Sequence, residues 1–174
     1  MIEEVVPLAG VLNDGMDDLA RAVPGLYRVA FALTGARADS EDLVHSAVER
    51  YLATGPAPPD DLPAYLRRTM TNLHLNAAKR RSVHDRSLAK LSRARPPAAP
   101  DQDLQPDLFA ALQQLPPLPR AVLVLRYLAD LPVNDVAETL GRPAGTTRRL
   151  THHALAQLRE SPILQLIEGV PDDH

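Results

Sequence analysis

The sequence predicts an all-α protein built as two small helical domains, and three observations carry that expectation. Period-two alternation is nearly absent and aromatic residues make up only 3% of the chain, so strand signals are weak. Blocks rich in Ala, Leu and Arg, all strong helix formers, recur with apolar residues at helical spacing. A stretch that favours extended chain, Arg95-Pro-Pro-Ala-Ala-Pro-Asp-Gln-Asp103, separates two sets of such blocks. A length of 174 residues suits one large or two small domains. The expected division is a leader at 1–15, a domain at 16–94, a linker at 95–106, a domain at 107–160 and a tail at 161–174.

The leader shows no strong period. A first helix is expected from about Asp17 to Leu33, with Leu19, Val23, Leu26, Ala30 and Leu33 inward. Pro24 either kinks it or serves as its first-turn residue, and Thr34-Gly35 closes it. Asp39 suits the N-cap of a helix over Ser40–Ala53, with Asp42 near its positive end. Leu43, Val44, Ala47, Val48, Tyr51 and Leu52 form its apolar set, and Glu41, His45 and Glu49 its outer face. Residues 54–61 are a loop, because three prolines in four positions (Pro56, Pro58, Pro59) forbid a helix. Asp61 caps a helix from Leu62 to about Arg81, whose basic continuation is helical as far as about Leu91. Leu66, Met70, Leu73 and Ala77 make its buried stripe, and Arg67, Arg68, Asn72, Asn76, Lys79 and Arg80 lie off it.

In the second domain Asp107 is a further N-cap candidate, followed by apolar Leu108, Phe109, Leu112 and Leu115. Pro116-Pro-Leu-Pro119 breaks the chain, and Arg120–Leu128 forms the next helix with Val122, Leu123, Leu125 and Tyr127. Residues 135–158 then read as two short helices around a tight turn. Val136, Ala137 and Leu140 share a face, and Gly141 ends the first helix by taking positive φ without steric penalty. Leu150, Ala154 and Leu158 make an inner stripe on the second helix, while Gly145, Arg148, Arg149 and His152 share its outer face. This is helix-turn-helix grammar; the same pattern also fits an ordinary helical hairpin with a solvated basic face. Ile163–Ile167 is a short apolar knot in the tail, expected to pack back on the domain.

Composition excludes several classes. The chain has no cysteine, hence neither a disulfide framework nor thiolate metal ligands. Its six histidines, at 45, 74, 84, 152, 153 and 174, are scattered, and no two of them stand at i, i+4, so no metal site is expected. No phosphate-cradling Gly-rich loop or nucleophile elbow appears, so neither an enzyme nor a cofactor is expected. The acidic start Met1-Ile-Glu-Glu does not fit a signal peptide. No apolar run reaches the roughly 18–20 residues of a membrane helix. The expectation is a soluble, cytoplasmic protein without membrane insertion.

The net charge of −3 conceals a segregation. Residues 1–64 carry a net −7, residues 65–95 a net +8 with Asp85 as their lone acid, and residues 96–174 a net −4. A basic block of that density inside an acidic protein suggests a focused contact with a polyanion. The blander alternative is a surface that pairs with the acidic N-terminal third.

Two stretches resemble the extracytoplasmic-function group of bacterial RNA polymerase sigma factors. Ala111-Leu-Gln-Gln-Leu-Pro-Pro-Leu-Pro-Arg-Ala-Val-Leu-Val-Leu-Arg-Tyr127, then Leu131-Pro-Val-Asn-Asp-Val-Ala-Glu-Thr-Leu-Gly141 and Gly145-Thr146, is similar to that group's promoter-binding C-terminal domain. Asp39-Ser-Glu-Asp-Leu-Val44, Ala64-Tyr-Leu-Arg-Arg-Thr-Met-Thr-Asn-Leu73 and Lys79-Arg-Arg81 are similar to its N-terminal domain. The resemblance implies a transcription initiation factor that partners core RNA polymerase and promoter DNA, with an anti-sigma factor as a further partner. Glu41, Asp42, Leu43 and Val44 correspond to the polymerase-docking surface. Loop 54–61 and the helix around Asn72 correspond to the reader of the melted -10 element, where Arg67, Arg68, Lys79, Arg80 and Arg81 would hold phosphates. The helix from Ala144 corresponds to the reader of the duplex -35 element, through Gly145, Thr146, Arg148, Arg149, Thr151 and His152. The sequence departs from the family's usual phrase at Thr147-Arg148-Arg149-Leu150, which gains an arginine at 149 and lacks one at 150. It also has no tryptophan and places Tyr65 where Trp is common. The alternative reading is a sigma-like mimic that sequesters an anti-sigma factor without touching DNA. A plain helix-turn-helix repressor or activator leaves the N-terminal domain unexplained.

Overall fold

A computed structural model describes residues 8–54, 61–87 and 106–161; side chains are described for 17–54, 61–83 and 106–161. Among these residues the order is α1 (Leu8–Thr34), α2 (Arg37–Ala53), α3 (Leu62–Ser87), α4 (Pro106–Gln114), α5 (Pro117–Leu123) running on into a π-helical turn (Val124–Leu128), α6 (Val133–Thr139) and α7 (Ala144–Arg159). No strand occurs among the described residues.

Helix α1 starts at Leu8 and passes through Pro24, so residues 8–15 are not the loose leader the sequence suggested. Proline in a helix interior removes one hydrogen bond and costs about 3 kcal/mol. Here Pro24 sits on the exposed side, while Leu19, Leu26, Val29, Ala30 and Leu33 are buried on the other. Tertiary packing of that stripe outweighs the local penalty. Gly35, at φ +77°, ends the helix.

Three expected caps resolve differently. Asp61 caps α3 as read from the sequence, its Oδ1 accepting from the Ala64 N–H at 2.8 Å. Asp39 is not an N-cap: α2 starts at Arg37, and Asp39 lies in its first turn. The connection is tied instead by hydroxyls, with Thr34 Oγ1 donating to the Ala30 carbonyl at 2.9 Å and Ser40 Oγ to the Ala36 carbonyl at 2.5 Å. Asp107 likewise lies inside the first turn of α4, which begins at Pro106. Pro117 and Pro119 do not break the chain; they fall in the first turn of α5, where a missing N–H is no loss.

Helices α1, α2 and α3 form a three-helix core around Leu26, Leu33, Val44, Ala47, Leu66 and Met70. A second core gathers Leu112 of α4, Leu115 just after it, Leu123 of α5 and Ala154 of α7. The first core is not confined to α1–α3. Ala121 and Val124 are buried within the first one, and Leu128, Ala129 and Leu140 pack against it. The Phe31 and Phe109 rings stack with centroids 4.8 Å apart, joining α1 to α4. Residues 88–105, which include the expected linker and the last turns of the predicted basic helix, lie outside the described residues, as does the apolar knot at 163–167.

Candidate nucleic-acid interface

The geometry of 133–159 is that of a tight helix-turn-helix. Leu140 closes α6 and Gly141 turns the chain at φ +61°. The Gly141 N–H donates to Glu138 O at 3.0 Å and the Arg142 N–H to Ala137 O at 2.8 Å. This paired closure satisfies two end carbonyls and requires a left-handed residue at 141. Pro143 then stands at the N-cap of α7 in extended conformation. Its carbonyl accepts from the Thr146 and Thr147 N–H groups, both at 3.0 Å.

The turn fixes the rotation of α7. Thr147, Thr151 and Ala154 are buried against α5 and α6, while Gly145, Arg148, Arg149, His152 and His153 are exposed. The inner stripe keeps Ala154 from the predicted Leu150, Ala154 and Leu158 but starts about one helical turn earlier; Leu150 and Leu158 are half-buried at its edge. Thr147 and Thr151 belong inside because their hydroxyls bond back to the helix, Thr147 Oγ1 to Pro143 O at 3.2 Å and Thr151 Oγ1 to Thr147 O at 2.9 Å. Thr151 is therefore corrected from a DNA contact to a packing residue. Thr146 is half-buried on the first turn.

On α3, Arg68, Asn72, Lys79, Arg80 and Arg81 are exposed. Arg67 is half-buried and its Nε is shielded without a hydrogen-bond partner. Arg68 Nη1 lies 3.4 Å from Glu138 Oε1 of α6. Together they border a cleft of about 440 Å³ lined also by Asp61, Tyr65 and Asp135. Tyr65 packs edge-on against Tyr51 with centroids 6.2 Å apart.

On α2 the four expected docking residues divide. Asp42 is exposed and Glu41 half-buried, the latter accepting from Arg37 Nε at 3.0 Å. Leu43 is half-buried against the core. Val44 is 2% exposed and is corrected to a core residue, because a side chain closed in by α1 and α3 cannot meet a partner. Asp39, Asp42, Arg80 and Arg81 rim a second cleft, of about 560 Å³, whose other lining residues include His74 and Arg120.

Sequence reasoning missed Arg120 and His74. The Arg120 guanidinium donates to Leu33 O at 2.8 Å, to Gln113 Oε1 at 2.6 Å, to Gln113 O at 2.8 Å and to Leu115 O at 2.9 Å. Burial pushes its pKa down to about 10. The His74 pKa falls to about 4, through burial first and the nearby Arg120 and Arg81 charges second. The one signal in the sequence is that Arg120 immediately follows a Pro-rich helix start, where a long cation can reach back to the preceding helix end. Among the described residues no group of three or more His, Asp or Glu side chains can hold a metal ion. No helix of the described residues is long and apolar enough to cross a membrane.

Comparison with known proteins converges on the same reading. The family model for sigma-70, region 4, matches residues 111–160. The chain is 31% identical to the RNA polymerase sigma-E factor of Streptomyces antibioticus over 160 residues, covering 90% of this chain and 85% of that one. It is 30% identical to the ECF RNA polymerase sigma factor EcfG of Rhodopseudomonas palustris over 168 residues, covering 92% and 91%. It is 32% identical to the ECF RNA polymerase sigma factor SigE of Mycolicibacterium smegmatis over 154 residues, and there it spans 60% of the relative's length. In fold it is similar to the sigma factor RpoE of Bartonella quintana, solved in complex with the anti-sigma factor NepR, with a TM-score of 0.69 at 23% identity over 88% of this chain and 98% of that one. The chain belongs to the ECF RNA polymerase sigma factors, a family of transcription initiation factors and not of enzymes.

Proposed function

We propose that this chain binds core RNA polymerase and directs it to specific promoters, with α7 reading the duplex -35 element and α3 holding the melted -10 strand. The observation that carries the reading is the division of α7. Gly145, Arg148, Arg149 and His152 form one exposed face while Thr147, Thr151 and Ala154 anchor the opposite one. Such a helix can enter a major groove with its N-terminal half, its arginines reaching base edges or phosphates. Its first-turn N–H groups at Gly145, with no side-chain cap competing, favour a phosphate.

Along α3, Asn72, Lys79, Arg80 and Arg81 offer an exposed polar and basic track for a single strand. Glu41, Asp42 and Leu43 on α2 supply the polymerase contact in this reading. A protein of this kind works where the chromosome is, in the cytoplasm. The fold shared with the Bartonella sigma factor is compatible with an anti-sigma partner. The decoy alternative, capture of an anti-sigma factor without DNA, leaves the α3 track and the exposed α7 arginines without a role.

The test separates two steps. Arg148→Ala should weaken holoenzyme binding to a closed duplex promoter by about 5- to 100-fold, the weight of one good base or phosphate contact. Arg80→Ala should leave duplex binding near normal and slow formation of the open complex. Equal effects of both changes on both steps contradict this division of labour.

A further inference from the structure

Helices α2 and α3 each turn a mixed face toward the cleft of about 560 Å³. On α2, Asp39, Asp42 and Leu43 stand at i, i+3 and i+4; on α3, His74, Ala77 and Arg81 stand at i, i+3 and i+7, so each set shares one side of its helix. The cleft is therefore divided. Carboxylates stand on the α2 side and the Arg80 and Arg81 guanidiniums on the α3 side, while Leu43, Leu73 and Ala77 give it apolar wall. Opposite charges lining one cleft attract. Yet among the described residues no ion pair joins Asp39 or Asp42 to Arg80, Arg81 or Arg120.

The buried end of the cleft is electropositive. His74 is 6% exposed, and after burial the charges that act on its ring are those of Arg120 and Arg81, both of which hold it neutral. The Arg120 hydrogen bonds all go to neutral oxygens, so its charge has no counter-ion among them. Asp39 and Asp42 are exposed, and water screens them more than it screens the half-buried Arg120. The volume falls within the range of small-molecule sites, about 300–1,000 Å³. A bare inorganic anion would use the arginines alone and leave the apolar wall and both carboxylates without a partner.

We propose that this cleft is a nucleotide site: Arg80 and Arg81 take the phosphate, Leu43, Leu73 and Ala77 cover the base, and Asp39 and Asp42 accept hydrogen bonds from ribose hydroxyls or exocyclic amines. Each part of the ligand then meets a wall of matching chemistry. Asp42 and Leu43 also belong to the polymerase contact read on α2, so a nucleotide in the cleft competes with core polymerase. That consequence rests on the proposed function; the site itself does not.

Calorimetry of the full chain with ADP and with GDP, at fixed ionic strength, should show one saturable site with a Kd below about 1 mM. Inorganic phosphate alone should bind more weakly. Arg81→Glu should weaken ADP at least about tenfold, the loss of one charge-assisted hydrogen bond. Arg50→Glu makes the same charge change at an exposed position of α2 outside the cleft and should have no such effect. Ala77→Phe fills the cleft without altering charge and should also remove binding. The NMR signal of the His74 ring, assigned with His74→Gln, should move when ADP binds. No saturable binding, phosphate binding as tight as ADP, or equal losses from Arg81→Glu and Arg50→Glu overturn the site. A single-stranded oligonucleotide that moves the His74 signal and displaces ADP gives the cleft to the strand and overturns it as well. Saturating ADP should weaken core polymerase binding at least about threefold by mass action; unchanged binding overturns the competition. Absence of core binding while ADP binds as expected marks failure of the sigma reading alone.

Discussion

Arg120 on α5 donates a hydrogen bond to the carbonyl of Leu33, 2.8 Å away in the last turn of α1, across a separation of 87 residues. One guanidinium thereby closes α4 through Gln113 and Leu115 and ties that helix pair to the N-terminal bundle. Arg120→Met should leave several buried carbonyls without donors, a penalty of about 1–3 kcal/mol for each group that water cannot reach. A loss of roughly 2–4 kcal/mol is expected, lowering Tm by about 5–15 °C in a thermal melt. A shift below 2 °C would show that water replaces these bonds freely.

His74 gives the stability a pH dependence of definite sign. Its folded pKa is about 4 against about 6.5 unfolded, so the unfolded chain binds the extra proton. The neutral imidazole's contribution is complete above pH 6.5 and is lost as the pH falls toward 4. By pH 5 the loss is about 2 kcal/mol. Urea midpoints at pH 7 and pH 5 should differ accordingly in the parent. The His74-specific part of that difference should vanish in His74→Gln.

Gly35 and Gly141 both take positive φ, yet they predict different responses to alanine. At Gly141 an added Cβ meets nothing within 4 Å, so Gly141→Ala pays only the left-handed strain of about 1–2 kcal/mol. At Gly35 the methyl also strikes the Gln113 side chain. Gly35→Ala should be the more damaging of the two, and adding Gln113→Ala should recover part of the difference. Equal denaturation midpoints for the two alanine variants would remove Gln113 from the contact.

The two sides of α7 predict opposite readouts. Arg148→Ala or Arg149→Ala should leave the melting curve nearly unchanged, weaken duplex promoter binding by holoenzyme, and lower the salt dependence by about one ion where the lost contact is to phosphate. Thr151→Val should leave DNA affinity near the parent's, because its hydroxyl already serves Thr147 O inside the domain. Promoter-binding titrations at several salt concentrations check both.

Local signals carried most of the fold. Helix spans, the Asp61 cap and the Gly141 turn follow from spacing and from residues with one dominant use. What stayed hidden depends on contacts distant in sequence. The apolar stripe of α1 sustains the helix through Pro24, and nothing near Pro24 reveals that. Asp39 has a cap's chemistry, but Thr34 and Ser40, linked through Ala36, set where α2 begins. For the candidate site, the exposure of Arg148, Arg149 and His152 was legible because a basic face opposes an apolar stripe. Thr151 was not: threonine suits surface or core, and only the rotation of α7 places it inward. Val44 lies in the apolar set of α2, and only the family resemblance set it on the docking surface. The Arg120 web, built on backbone carbonyls, leaves no pattern in side-chain types.

Run-off transcription tests the central claim most directly. Core RNA polymerase is combined with this protein on a pool of genomic fragments, with core alone as the control. Discrete new transcripts that require the protein are expected, sharing two upstream sequence elements, and Arg148→Ala should reduce them. Failure of the protein to bind core polymerase, with no transcripts above the control, would contradict an initiation role and leave capture of an anti-sigma factor as the better reading.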